Sequence, residues 1–158
     1  MIIFGVSIAV LGVFFFIFSY IKRKKRENEK LQQITSIANK SNCKITQHES
    51  CGDFIIGIDE TNRYVFFSKK INDDAISQFI NLAEIRNCKI NNTIRTVTNS
   101  GSSAAVIDRL SLLFVPVSKD KPDIVLEFYN ADENTQLSGE LQLIEKWSKI
   151  INDCISAK

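Results

Sequence analysis

The first 21 residues, MIIFGVSIAVLGVFFFIFSYI, contain no charged side chain and show no polar face at helical spacing. A helix from Ile2 to Ile21 at about 1.5 Å per residue would be roughly 30 Å long, the thickness of a bilayer's hydrocarbon core. A core helix would carry a polar side, so the pattern predicts a transmembrane helix over residues 1–21. A cleaved signal peptide would need basic residues before a shorter apolar run, and small residues at a cut site. Here the basic run Lys22-Arg23-Lys24-Lys25-Arg26 follows the apolar one instead.

From Glu27 to Lys40 the chain is polar and free of Gly and Pro, with Leu31, Ile34 and Ile37 or Ala38 at helical spacing. This predicts a basic juxtamembrane helical linker over residues 22–42. Its stripe lasts barely one heptad, so it is expected to pack on the following domain and not to form a coiled coil. Beyond Asn42 the pattern turns to strands. Phe54 to Ile58 and Tyr64 to Phe67 flank the polar connector Asp59-Glu60-Thr61-Asn62, which is a hairpin signal. Leu82 to Ile90 and Ile94 to Thr98 are expected to pair through a turn at Asn91-Asn92, ahead of a flexible loop at Asn99 to Ser103. Leu110 to Val117 and Asp123 to Tyr129 make a third pair, and Cys43 to His48 a weaker strand. Leu137, Leu141, Ile144, Trp147, Ile151 and Cys154 or Ile155 then mark one face of a terminal helix. The layout is α+β. An N-terminal transmembrane helix leads to a domain over residues 43–158, an antiparallel β-sandwich or barrel of about seven strands closed by the C-terminal helix.

Charge sharpens this picture. Lys22 to Lys30 holds six of the 20 basic residues and two of the 18 acidic ones. The remainder, with 14 basic and 16 acidic residues, is slightly acidic, which argues against a nucleic-acid binder. The cations directly after the apolar run put the N-terminus outside and the C-terminal domain in the cytoplasm, in the inner or plasma membrane. Lys22, Arg23, Lys24, Lys25 and Arg26 form a membrane-surface cluster able to meet anionic lipid headgroups. Gly5 and Ala9 form a small-xxx-small pair through which two spans could pack into a homo-oligomer.

Seven short strands followed by one helix carrying a Trp resemble the pleckstrin-homology-like (PH-like) domain. The segments that carry this are Pro122 to Phe128 and Glu145 to Ile151, with Trp147 between them in the helix. The Ile56-Gly57-Ile58-Asp59 opening of the hairpin is also similar to uncharacterised bacterial single-pass membrane proteins. The resemblance implies that the helix closes one end of a bent sandwich with its Trp in the core. Lipid recognition in that family uses basic residues around the first strands, whereas Asp59-Glu60-Thr61-Asn62 is acidic, so inositol-lipid binding is not carried over.

Candidate chemistry is sparse. Cys43, His48 and Cys51 lie within nine residues, but a zinc site would need Cys88 as a lone fourth ligand. Free buried thiols are the expectation for Cys43, Cys51, Cys88 and Cys154, and a Cys43–Cys51 disulfide would require the opposite topology. His48 is the sole histidine, which restricts any Cys–His or Ser–His nucleophile to that residue. Ser100-Gly101-Ser102 lacks the strand-turn-helix setting of a nucleophile elbow. Asp73-Asp74 and Asp132-Glu133 read as solvated acids. No catalytic residue, metal ligand or cofactor is assigned. The function expected is a non-catalytic, membrane-tethered binding module or adaptor for a protein partner. Its site would be an exposed strand edge near Ile94 to Thr98, or the groove between sheet and last helix. The alternative is an accessory structural subunit of a membrane complex assembled through its transmembrane helix.

Overall fold

The computed structural model describes residues 2–71, 74–99 and 101–157, and the backbone alone for residues 2–13, 99 and 102. One continuous helix, α1 (Ile2–Lys40), is followed by β1 (Gln47–Cys51), β2 (Phe54–Asp59), β3 (Tyr64–Ile71), β4 (Asp74–Asn81), β5 (Ile85–Asn99), β6 (Ser102–Pro116) and β7 (Ile124–Asn130). The chain closes with α2 (Glu140–Ser156). The strands form two antiparallel sheets in sequential order, β1-β2-β3-β4 and β5-β6-β7. A 3-10 turn, Leu82–Glu84, joins the sheets, and the Asn81 side chain caps it by accepting from the Ala83 amide.

Every residue of β2 is buried, because the first sheet is covered on both faces. Strand residues alternate between faces. Ile55 and Phe66 meet Ile34 and Ala38 of α1, with Cys43 beside them. Phe54, Ile56, Ile58, Val65 and Phe67 point the other way, into a core shared with Leu110, Leu112, Phe114, Leu126 and Phe128 of the second sheet. The layers are therefore α1, the first sheet and the second sheet. A bulge on β7 enlarges that core. Leu110 pairs with Tyr129 and Ser111 with Glu127, so Phe128 is an extra residue, and both Phe128 and Tyr129 are buried. Phe128 reaches the rings of Phe54 and Phe67 at centroid distances of 4.6 and 5.8 Å.

The last helix has one strongly apolar face, and Ile144, Trp147 and Ile151 on it are fully buried. Trp147 Nε1 donates to Glu49 Oε2 on β1 at 2.9 Å. On β5, Asn152 Oδ1 accepts from the Cys88 amide at 3.0 Å while its Nδ2 donates to the Cys88 carbonyl at 2.8 Å. These bonds tie α2 to both edge strands, β1 and β5.

Two expectations are corrected. The first is the transmembrane helix, with the single-pass membrane architecture and the inner or plasma membrane location, N-terminus outside and C-terminal domain cytoplasmic, that followed from it. Among the described residues no helix is long and apolar enough to cross a membrane. Gly5 and Ala9 lie in the stretch of α1 of which the backbone alone is described. The second is the closed sandwich or barrel. The four- and three-stranded sheets stay unclosed, because among the described residues no strand of one pairs with a strand of the other.

Strand boundaries also moved. Residues 85–99 form one strand, and Asn91 and Asn92 pair with Ser111 and Leu110 instead of turning. The reversal falls at Gly101, whose φ of +88° suits a residue without Cβ. β4 was not anticipated, because its apolar residues come as Ala75-Ile76 and Phe79-Ile80, which obscures the alternation.

Gly57 sets how closely α1 approaches the sheet. A Cβ there would stand 3.0 Å from Ile34 Cδ1 and 3.1 Å from Ile45 Cγ2. Gly57→Ala is expected to cost about 1–3 kcal/mol by overpacking. Urea unfolding should show a lower midpoint at unchanged slope. In a double-mutant cycle, Ile34→Ala should relieve part of that cost, and strict additivity would contradict the close approach.

Candidate functional site

The two sheets present four edges. The β1 and β5 edges lie under α2, while the β4 and β7 edges face each other with no cover. Among the described residues β4 pairs with β3 alone and β7 with β6 alone. A cavity of about 490 Å³ separates them, with Ser77, Gln78 and Phe79 on one wall and Asp123, Ile124 and Val125 on the other. It leads to a second of about 380 Å³ between Phe79, Ile80, Ile85, Pro116 and Pro122.

The register of β4 determines what the seam displays. Ile76, Gln78 and Ile80 pair with Lys69, Phe67 and Val65, so they share the face turned toward the second sheet. Gln78 Oε1 is buried there with no hydrogen-bond partner among the described residues. An unsatisfied buried acceptor costs about 1–3 kcal/mol, so the position favours an incoming donor. Ile76, Phe79 and Val125 are 49%, 57% and 47% exposed, giving the seam an apolar rim.

One ion-pair cluster pins the seam at one end. Lys69 Nζ on β3 lies 2.8 Å from Glu127 Oε1 on β7 and 2.8 Å from Glu133 Oε2, and its side chain is only 4% exposed. Burial acts to lower the pKa of Lys69, but hydrogen bonds to Glu127 and Glu133 outweigh it and hold the amine above 10.5. Nearby Asp53 is pushed up by burial, an effect that Lys69 partly offsets. Toward the other end Lys121 Nζ meets Glu84 Oε2 at 2.5 Å, with both side chains exposed.

The residues singled out in the sequence fall elsewhere. Lys22, Arg23, Lys24, Lys25 and Arg26 are exposed on α1. His48 is exposed on β1. All four cysteines are free. Cys43 packs between α1 and the first sheet, and Cys88 lies in the main core. Burial pushes the Cys88 thiol up to about 12 and Cys51 to about 11. Among the described residues no group of three His, Cys, Asp or Glu side chains gathers as a metal site. Ser100 and Asp73 lie outside the described residues. Asp132 and Glu133, expected to be merely solvated, each pair with a cation, Arg109 and Lys69. Of the two anticipated binding surfaces, the one between sheet and α2 is filled by Trp147 and its neighbours, and Ile94 to Thr98 is exposed on a two-stranded arm. Sequence reasoning missed Lys69 and Gln78. Continuing the inward alternation of Val65 and Phe67 to Lys69 would have flagged a charge on the core face.

No family model, curated protein or solved structure matches this chain.

Lys69→Met should lower stability by about 2–3 kcal/mol at neutral pH, near the low end for a broken buried pair because both carboxylates reach water. A raised lysine pKa contributes fully below 10.5 and is lost as pH climbs through the folded value. The difference between wild type and variant, measured by denaturant unfolding, should therefore stay constant near neutrality and shrink above pH 10.5.

Proposed function

We propose that this chain is a non-catalytic binding module that takes an extended segment of a protein partner along the β4 edge. The observation that carries this reading is the uncovered seam itself. An open strand offers a ladder of backbone donors and acceptors, and natural edges are normally blunted by Lys, Pro, bulges or covering elements. β4 has none of these between Asp74 and Asn81, and displays Ile76 and Phe79. Strand addition would satisfy the backbone, Gln78 Oε1 would accept a donor from the segment, and Ile76, Phe79 and Val125 would hold its apolar side chains. Asp123 at the mouth has no cation partner among the described residues, which favours a segment with Lys or Arg beside its apolar positions.

A binding role also accords with the thiols. A nucleophilic cysteine needs a depressed pKa, and burial moves all four the other way, foremost Cys88 and Cys51. The order of seven strands and then a helix with a buried Trp supports kinship with PH-like modules, which rests on that order alone.

A second reading has one observation in its favour. Phe14 to Phe18, Tyr20 and Ile21 on α1 are between 53% and 80% exposed, a surface that an accessory subunit would bury against another subunit. Exchanging residues 2–21 for an unrelated apolar helix separates the two, since a module keeps its peptide and a subunit loses its complex.

Peptides selected by display on the full chain should slow amide hydrogen exchange over residues 74–81. Phe79→Asp should weaken the selected peptide by about tenfold or more, the scale of losing a central apolar contact. Ile94→Asp on the β5–β6 arm should leave affinity unchanged. Protection confined to residues 90–98 would move the site to the arm.

A further inference from the structure

The unblunted β4 edge is not the only unfilled feature. At the opposite edge of the first sheet, α1 passes beside the β1–β2 turn and leaves a cleft of about 530 Å³. Lys22, Arg23, Arg26 and Lys30 line it from the helix, with Ser50 and Ser138 on the other side. Their spacing of one, three and four residues gathers all four cations on one helical face. Lys24 and Lys25 fall on a different face, beside Tyr20 and Asn28.

The cleft is built, and its charge is unbalanced. Lys30 Nζ donates to the Gly52 carbonyl at 2.6 Å, and Ser50 Oγ donates to Glu27 Oε1 at 2.9 Å, so two side chains tie the helix to the turn. Among the described residues Glu27 is the only acid on the lining. Lys22, Arg23 and Arg26 have no ion-pair partner among the described residues. Burial pushes the pKa of Lys30 below 10.5, with Asp53 and Glu27 countering only part of that. Positive charge held in a concave, partly desolvated site is stabilised by an anion entering it. Two guanidinium forks suit phosphate oxygens, which they bind bidentately. The volume matches a small organic ligand more than a bare ion.

We infer that this cleft binds a doubly charged phosphate group, carried by a phosphate ester or a diphosphate, with Arg23 and Arg26 as its bidentate ligands and Lys22 and Lys30 completing the charge. The inference is independent of the peptide seam, since it uses α1 and β1 and none of the residues of β4 or β7.

The test is isothermal calorimetry of the full chain with inorganic pyrophosphate, beside flotation with phosphatidylcholine vesicles that contain phosphatidic acid. Pyrophosphate binding should weaken by about tenfold or more in the Arg23→Ala, Arg26→Ala double variant, as expected for lost charge-assisted bonds. It should be unchanged in the Lys24→Ala, Lys25→Ala pair, which removes the same charge from the other face. All four positions are exposed on α1, so the substitutions leave the core untouched, and unfolding midpoints check this. Vesicle binding with the same Arg dependence would identify a lipid headgroup as the source, and pyrophosphate binding without vesicle binding a soluble ligand. Equal losses in both double variants would reduce the effect to net charge and overturn the site. Absence of binding in both arms would also overturn it.

Discussion

The indole of Trp147 reaches Glu49 on β1, while further along α2 the amide of Asn152 satisfies both backbone groups of Cys88 on β5. The rest of the architecture depends on that bridge. Two small sheets joined by a 3-10 turn share a core but leave edges that expose unpaired backbone groups. Asn152 supplies the donor and acceptor that a neighbouring strand would have given at Cys88. Trp147 fills the core beneath, and its one polar atom is not left unsatisfied. With β1 and β5 covered in this way, β4 and β7 become the edges that remain open. The position of the candidate site is thus a consequence of where the helix is spent.

A second constraint acts on the other face of the first sheet. Gly57 has no side chain, so Ile34 and Ala38 of α1 settle against Ile55 and Phe66 with no room for a methyl group between them. That contact makes β2 a fully buried strand. It also sets the direction in which α1 leaves the domain, which brings the basic face of the helix alongside the β1–β2 turn. The anion cleft and the peptide seam therefore lie at opposite edges of one sheet.

Lys69 joins the two sheets by a side-chain ion pair where no backbone ladder does. A nearly buried amine between two carboxylates contributes modestly in net terms, since desolvation consumes much of the attraction. Its specificity is geometric. It holds β7 beside β3 at one end of the seam and leaves the stretch from Ser77 to Phe79 free of β7. The extra residue in β7 has a related effect, because the bulge lets Phe128 join Phe54 and Phe67 without breaking the pairing on either side.

Much of the local structure was legible in the residues. The Phe54–Tyr64 hairpin, the amphipathic terminal helix with Trp147 inward and the stripe of Leu31, Ile34 and Ala38 all follow from periodicity, which is a property of adjacent positions. The β5–β6 hairpin was not, because Asn91 and Asn92 are good turn formers locally and become strand residues only when β6 supplies partners along their length. β4 has no clean alternation of its own and exists because β3 pairs with it. The apolar character of residues 1–21 was plain in the sequence, yet among the described residues no helix is long and apolar enough to carry the spanning role inferred from it. No sequence signal marked Gln78 as an unsatisfied acceptor or Arg23 and Arg26 as walls of a cleft, and the alternation that puts Lys69 on the core face does not name the carboxylates it meets. The sequence by itself determined the helical segments, the hairpin from Phe54 to Phe67 and which of their faces are apolar, since those depend on spacing along the chain. Only the tertiary structure decided which edges stay open and which charges meet, because those depend on residues far apart in sequence being packed side by side.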